Sequence, residues 1–268
     1  LAVYAVVGAK DAGWTSMATL RLLAGSVALM VLFILIEKGA INPLVHLGLF
    51  RSRNIVASNA IGVLWAAGMF GWFFLSSLYM QYVLGFQPDA VGYAFLPANV
   101  IMAVFSIGLS ARLVARFGVR IPLTAGLLLA TAGLFLFARA PETGTLWVDI
   151  VPGMALLGVG AGMAFNPLFL AAMSDAKPQE AGLSSGLGNT SFMMGGALGL
   201  AILASYAASR TAGLATAGAA PAAALNGGYQ AAFFLAGMAT LAASLLGALV
   251  LRVKNTAHTA PDAAPVVP

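Results

Sequence analysis

Seven long apolar segments run through this sequence, and charged side chains are almost absent from them. Each is close to the roughly 20 residues that a helix needs to cross the hydrocarbon core of a bilayer. The segments are residues 17–36, 54–80, 90–111, 121–138, 150–173, 181–207 and 229–251. Because lipid cannot satisfy backbone hydrogen bonds, and the alternating pattern of barrel strands is missing, each segment is predicted to be a helix. The sequence therefore predicts an all-α polytopic membrane protein with about seven transmembrane helices.

The overall composition agrees with this prediction and bears on the class of partner. Hydrophobic residues make up 61% of the chain and charged residues 8%, whereas soluble proteins carry about 25% charged residues. The net charge of +5 would favour nucleic acid in a soluble chain, but here the cations lie between apolar segments. We attribute them to membrane topology, with the lipid bilayer as partner and no nucleic acid. The chain has no cysteine, which excludes disulfides and thiolate chemistry.

The distribution of lysine and arginine predicts the orientation in the membrane. Short connections that retain positive charge face the cytoplasm. One alternate set of connections holds most of the 13 cationic residues. These residues are Lys38, Arg51, Arg53, Arg112, Arg116, Arg120, Lys177, Arg252 and Lys254. That side, together with the C-terminus, is predicted to be cytoplasmic in a multi-pass protein of the cell membrane.

Three parts of the chain are expected to lie outside complete spans. Residues 1–9 are apolar but too short to cross a bilayer, so residues 1–16 are interpreted as the end of a truncated linker helix and an outer loop. Residues 208–228 are rich in alanine, glycine and threonine and are expected to form a long loop. Residues 252–268 are expected to form a disordered cytoplasmic tail.

The stretch GLSARLVARFGVR brings three arginines together between the third and fourth spans. Arg112 and Arg116 lie one helical turn apart, and small Gly108 permits close helix approach. Gly118 suits a tight turn, after which Arg120 leads into the next helix. We call these five residues the loop motif. The alternative is that any cytoplasmic loop collects arginines, which alone accounts for all three.

The loop motif is similar to the loop signature of the major facilitator superfamily, with Ala115 where that family usually has an acid. NPLVHLGLFRSRN, GVGAGMAFNPL and EAGLSSGLGNTSFMMGGALGLA resemble the C-terminal half of the fourteen-helix drug:proton antiporters of the EmrB and QacA type. The resemblance implies that residues 54–251 form the C-terminal six-helix bundle. Residues 17–53 would hold the second linker helix and a cytoplasmic connection, and the N-terminal bundle of the same chain would be missing. The loop motif would take part in gating.

On this resemblance, the chain is part of a secondary active transporter that exports lipophilic or cationic drugs by alternating access, in exchange for protons. No acid lies deep within a span, so the proton-coupling residues are expected in the missing half. The first and fourth helices of such a bundle line the central cavity, and here they are residues 54–80 and 150–173.

Methionine and aromatic side chains on these two helices suit lipophilic or cationic small molecules. Asparagine in a span favours a watery cavity or a neighbouring helix, and a nearby proline makes the cavity more attractive. The candidate cavity residues are Asn59, Trp65, Met69, Phe70, Phe73, Asn99, Met163, Asn166 and Phe169, and the same helices also carry Met154 and Phe165. The alternative is that the asparagines bond between helices and that the apolar side chains fill lipid-facing surface.

Two glycine pairs, Gly158 with Gly162 and Gly195 with Gly199, fit the spacing that lets helices touch, and Gly182 with Gly186 has the same spacing. The first pair belongs to a run that partly resembles a dinucleotide fingerprint, but it lies inside an apolar span with no preceding strand. We therefore interpret both pairs as helix-packing positions, with small residues separated by one turn.

Enzymatic chemistry finds little support in the sequence. GLSSG formally matches the nucleophile elbow of serine hydrolases, but His46 and His258 are the only histidines and neither lies in an apolar span. No His, Asp or Glu pair has the spacing of metal ligands on one helix face. No catalytic residue, cofactor or metal is predicted. The remaining alternatives are a dedicated exporter or uptake carrier of one small metabolite and, less favoured, a membrane enzyme or structural subunit.

Overall fold

The computed structural model describes residues 1–2, 4–6, 8, 15–39 and 47–253. These residues are helical almost throughout and include no β-strand. Seven of the described helices are long and apolar enough to span a membrane: α1 (Met17–Gly39), α2 (Arg53–Tyr82), α3 (Pro88–Phe117), α4 (Arg120–Phe137), α5 (Leu146–Met173), α6 (Ala181–Thr216) and α7 (Pro221–Val250). The prediction of an all-α protein with seven spans is confirmed. The expectations for residues 9–14, for His46 and for the tail from residue 254, including His258, lie outside the described residues.

Six of the seven helices pack into one bundle. α2 packs along α6 and α7, α5 packs along α4 and α3, and α7 also contacts α4. Large side chains such as Trp65, Trp72 and Phe137 are buried where these helices meet. In its most apolar stretch α2 is 50% buried, whereas α1 is 6% buried. Since α1 is apolar but buries almost nothing, the packed core belongs to α2–α7.

Glycines of α5 lie where α3 approaches most closely. A Cβ atom placed on Gly158 would lie 2.6 Å from the carbonyl oxygen of Ala98. One placed on Gly162 would lie 2.7 Å from the carbonyl oxygen of Met102. Both distances are shorter than ordinary contacts of about 3.5–4.0 Å between carbon atoms. These two positions therefore accommodate only glycine at this helix separation.

The second glycine pair lies between α6 and α2. A Cβ on Gly195 would lie 2.5 Å from Cα of Val63 and 2.7 Å from its carbonyl oxygen. A Cβ on Gly199 would collide with Cα and Cβ of Ala67. The backbones of α2 and α6 are thus in direct contact, an arrangement typical of membrane helices with small residues at the interface.

The expectation of a long loop over residues 208–228 is wrong. α6 continues to Thr216 and α7 begins at Pro221, so only residues 217–220 connect them. Alanine has the highest helix propensity of all residues. The two helix ends also pack together, since a Cβ on Gly228 would lie 2.6 Å from the carbonyl oxygen of Ala207. Small side chains therefore indicated close helix packing here, and not a loop.

Polar side chains hold the connection between α4 and α5 at the predicted outer end of the bundle. The Tyr79 hydroxyl donates to the carbonyl oxygen of Pro141 at 2.6 Å. Asn226 and Gln230 of α7 donate to the carbonyl oxygen of Ala140 at 3.2 and 2.9 Å. This connection is consequently bound to both α2 and α7.

At the opposite, predicted cytoplasmic end, Asn54 joins three helices. Its Nδ2 lies 3.1 Å from each carboxylate oxygen of Asp175, which follows α5. Its Oδ1 accepts a hydrogen bond from the backbone N–H of Arg252, after α7, at 2.9 Å. Ser52 accepts from the N–H of Ile55 at 3.3 Å and donates to Asp175 at 2.5 Å. This network links the ends of α2, α5 and α7.

Candidate functional site

Five aromatic side chains from three helices meet in the half of the bundle nearer the predicted cytoplasmic end. We call Trp65 and Phe70 of α2, Phe165 and Phe169 of α5, and Phe192 of α6 the aromatic cluster. Ring centroids of Trp65 and Phe192 are 5.5 Å apart, and those of Trp65 and Phe165 are 5.9 Å apart. The cluster joins the two predicted cavity helices and brings α6 to them.

The rings of the aromatic cluster pack mainly edge to face. The interplanar angles are 69° for Trp65–Phe192, 70° for Trp65–Phe165 and 82° for Phe165–Phe192. Trp65 and Phe192 are buried, while Phe165 is 37% exposed. The edge-to-face arrangement matches the ring quadrupoles. The cluster thus has a buried base and an exposed edge at Phe165, which a small molecule can reach.

Phe192 is the residue that the sequence interpretation missed. Its ring centroid lies between 5.5 and 6.3 Å from the centroids of the other four aromatic rings. The spacing in the sequence could have indicated its position, since Phe192 shares one buried helix face with Gly188, Gly195 and Gly199. A single large ring on an otherwise glycine-lined face projects into the space between helices.

Met69 and Phe73 lie one and two turns further along α2 and belong to different surroundings. Met69 lines a small cavity next to Trp65 and Trp72. Phe73 stacks on Phe95 of α3 at 5.3 Å and contacts Trp72 at 4.3 Å between ring centroids. The structure therefore separates Phe73 from the aromatic cluster and pairs it with α3.

Asn59 lies in the second turn of α2 and leaves one polar atom unpaired. Its Nδ2 donates to the carbonyl oxygen of Ile55 at 2.7 Å, within its own helix. Its Oδ1 is buried and has no hydrogen-bond partner among the residues that the structure describes. A buried acceptor of this kind is costly unless it finds a donor. This acceptor lies inside the bundle and not on an accessible surface.

The remaining candidates lie on the exposed surface of α3 and α5. Asn99 is exposed, Met163 is half-buried, and Asn166 is exposed. Asn166 Nδ2 donates to the backbone carbonyl oxygen of Ser106 at 2.9 Å. Ser106 belongs to a π-helical segment of α3, Phe105–Leu109, where the regular helical bonding is interrupted. Asn166 therefore supports the backbone of α3, besides being accessible.

The loop motif is partly helical in the structure. α3 continues through Arg112 and Arg116 to Phe117, and the guanidinium carbon of Arg116 lies 5.3 Å from the Phe117 ring centroid. Gly118 has φ +76°, a conformation that favours glycine and ends the helix. Both arginines are exposed.

The two ends of the loop motif have different contacts. Gly108 is exposed, and no heavy atom lies within 4 Å of its Cβ position. Arg120 begins α4 and donates to the carbonyl oxygen of Ala248 in α7. A cation near the free carbonyls of a helix C-terminus is favourable. Arg120 consequently joins α4 to α7, while Gly108 leaves open space beside α3.

No group of three His, Cys, Asp or Glu side chains that could hold a metal ion comes together in the part of the chain that the structure describes. The aromatic cluster carries no charge of its own. The surfaces that it presents to a neighbouring molecule are the faces and edges of its rings.

This geometry defines a polytopic helical membrane protein with an uncharged cluster of aromatic rings between its helices. The profile of the Major Facilitator Superfamily matches residues 7–200. The chain belongs to this superfamily of membrane transporters.

Curated relatives are resistance and export transporters. The chain is 34% identical over 255 residues to the puromycin resistance protein pur8 of Streptomyces alboniger. The aligned region covers 92% of this chain and 50% of that protein. It is 30% identical over 206 residues to the multidrug resistance protein Stp of Mycobacterium tuberculosis, 77% of this chain and 38% of the relative. It is 31% identical over 208 residues to the tetracenomycin C resistance and export protein of Streptomyces glaucescens, 78% and 38%. The chain spans half or less of the length of these relatives.

Proposed function

We propose that this chain is the C-terminal part of a secondary active efflux transporter, of the fourteen-helix EmrB and QacA type, that exports lipophilic or cationic drugs. The observation that carries the proposal is the aromatic cluster between α2, α5 and α6. The resistance and export functions named for the relatives support it. Because the chain spans half or less of those relatives, an N-terminal bundle of the same chain would complete the cavity.

The aromatic cluster suits this substrate class for a physical reason. A cation over a ring face gains about 0.5 to 2 kcal/mol, more when water is excluded. Apolar rings also accept neutral lipophilic molecules. Because the cluster has no fixed countercharge, it does not require substrates of one particular charge. Substrates with a flat apolar body fit these features.

Alternating access would rock this bundle against the N-terminal bundle around the site. The network of Asn54, Asp175 and Ser52 joins the ends of α2 and α5, so we expect these ends to move as one unit. Loop motif residues Arg112 and Arg116 are exposed at the same predicted cytoplasmic end, where they are available to contact the other bundle.

Protons are the proposed coupling ion. In the described helices the carboxylates lie at helix ends, such as Glu37 in α1, Asp89 in α3 and Asp149 in α5. A proton relay through the membrane needs an ionisable group at depth. The coupling acid would therefore belong to the N-terminal bundle.

Transport in everted vesicles with the full-length protein tests the proposal. Phe165→Leu should weaken the apparent affinity for ethidium, a flat lipophilic cation, by about tenfold, which corresponds to about 1.4 kcal/mol. Phe234→Leu is the matched control, because Phe234 of α7 is also partly exposed and pairs with Phe135 at 5.6 Å, outside the aromatic cluster. Equal loss in both variants, or no proton-dependent efflux by the wild type, would contradict the proposal.

A second candidate is a dedicated carrier of one compound, either an exporter or an uptake carrier. Two of the relatives are named for a single antibiotic each, puromycin and tetracenomycin C, which favours a dedicated exporter. A panel of unrelated lipophilic cations and neutral antibiotics distinguishes the candidates. Transport of several members supports multidrug export, whereas transport of one member supports the dedicated carrier, and the direction of movement separates export from uptake.

A further inference from the structure

A groove opens on the bundle surface at the predicted cytoplasmic end, away from the aromatic cluster. It has a volume of about 360 Å³ and lies between α2, α7 and the short helix Leu47–Arg51. We call it the interfacial groove. Its described walls include Val56 and Ala60 of α2 and Leu246 and Val250 of α7. These side chains are apolar and follow each helix at a spacing of one turn, so the groove runs along the helices.

Arginine side chains lie at one end of the interfacial groove. Arg51 and Arg53 both line it and are exposed. The backbone of Arg252 lies at the same level, since its N–H binds Asn54 at the start of α2. A carboxylate, Asp175, accepts hydrogen bonds from Ser52 and Asn54 at this end. The two arginines that line the groove outnumber this carboxylate, so this end of the groove is positive.

The depth of the groove corresponds to part of a lipid tail. From Arg53 to Ala60, α2 rises by roughly 10 Å at about 1.5 Å per residue. Half of a hydrocarbon core is roughly 15 Å thick. The apolar walls therefore lie in the outer part of the hydrocarbon, and the arginines lie at the level of the head groups.

We propose that the interfacial groove binds an anionic glycerophospholipid from the adjacent leaflet. The phosphate lies between Arg51 and Arg53, and one acyl chain follows the wall formed by Val56, Ala60, Leu246 and Val250. A positive end joined to an apolar trough of this depth matches the two parts of such a lipid. A free anion would use only the positive end. The proposal depends on membrane insertion and not on the identity of the transported substrate.

Lipid titration of the full-length protein in detergent, followed by native mass spectrometry, tests the charged end. The wild type should bind dioleoylphosphatidylglycerol more tightly than dioleoylphosphatidylcholine. Each basic residue near an anionic surface contributes about fivefold, so R51Q/R53Q should lower the phosphatidylglycerol affinity by about 30-fold. R139Q/R210Q is the control, because it removes the same charge at the predicted outer end. Unchanged affinity in R51Q/R53Q, or an equal loss in the control, overturns the proposal.

A second pair of variants tests the apolar wall and remains informative if R51Q/R53Q does not fold. Ala60→Phe fills the groove and should lower the phosphatidylglycerol affinity, whereas Ala132→Phe, on the exposed surface of α4, should not. Glycerol 1-phosphate, added in excess, should not displace the lipid, because it lacks the tail. Displacement by that head group, or an A60F variant with wild-type affinity, overturns the proposal. A wild-type dimer that dissociates in the A60F variant would also overturn the proposal, since a second copy of the chain would then occupy the groove.

Discussion

Replacing Gly195 by alanine tests whether backbone contact holds α2 and α6 together. The new Cβ would lie 2.5 Å from Cα and 2.7 Å from the carbonyl oxygen of Val63. Because ordinary contacts are about 3.5–4.0 Å, the helices would have to separate locally by about 1 Å. The atoms that the Cβ meets belong to the backbone of α2, so no side-chain rotation relieves the contact.

The expected magnitude follows from two opposing terms. Overpacking costs about 1–3 kcal/mol, and the upper value applies because a backbone has to move. Alanine in place of glycine returns about 1 kcal/mol of helix propensity, which leaves a net loss of about 2 kcal/mol. Gly213 of the same helix is the matched control, since nothing lies within 4 Å of its Cβ position. G213A should gain up to about 1 kcal/mol, so the two variants should differ by about 3 kcal/mol, or about 150-fold in the unfolding equilibrium constant.

Reversible unfolding in mixed micelles measures this difference. The full-length variants are titrated with sodium dodecyl sulfate, and the loss of helix is followed by circular dichroism. The midpoint of unfolding should fall for G195A and rise for G213A relative to the wild type. Midpoints that move together, in either direction, would refute the inference that α2 and α6 touch through their backbones at this position.

Three further predictions concern hydrogen bonds at the ends and on the surface of the bundle. Asn54→Leu removes hydrogen bonds to the Asp175 carboxylate and to the backbone N–H of Arg252, and it should lower the free energy of unfolding by about 2–3 kcal/mol. Adding Asp175→Asn to this variant should lower the free energy of unfolding only a little further. The same detergent titration measures both. Asn166→Leu frees the carbonyl oxygen of Ser106 and should raise hydrogen exchange in residues 105–109, with the rest of α3 unchanged. Tyr79→Phe loses one hydrogen bond and should cost about 1 kcal/mol, and a variant as stable as the wild type would show that this bond contributes nothing.

The positions of the helices follow from the sequence, whereas some of their ends do not. The predicted spans 54–80 and 150–173 agree with α2 and α5 within four residues at each end. α3 extends beyond the predicted end at residue 111, because helix formation continues outside the hydrocarbon until Gly118 adopts φ +76°. The predicted loop after residue 207 is wrong for a related reason. Hydropathy reports the limits of the membrane, but capping residues and helix contacts decide where a helix ends.

The candidate site divides in the same way. Trp65, Phe70 and Phe169 were candidates on cavity helices, and the structure places them in one cluster with Phe165. Phe192 was not a candidate, because α6 is not a cavity helix in the resemblance on which the choice depended. Its contacts with α2 and α5 depend on how deeply the glycine-lined face of α6 lies against α2.

The sequence alone determined that this is an all-helical protein with seven spans, because each segment meets the demands of lipid by its own length and composition. It also indicated the superfamily through short motifs within single segments. Only the tertiary structure decided which aromatic rings meet, that Asn54 joins three helix ends, and that a groove with two arginines opens between α2 and α7. These features depend on the rotation and separation of helices that are distant in sequence, and glycine contacts between backbones set both.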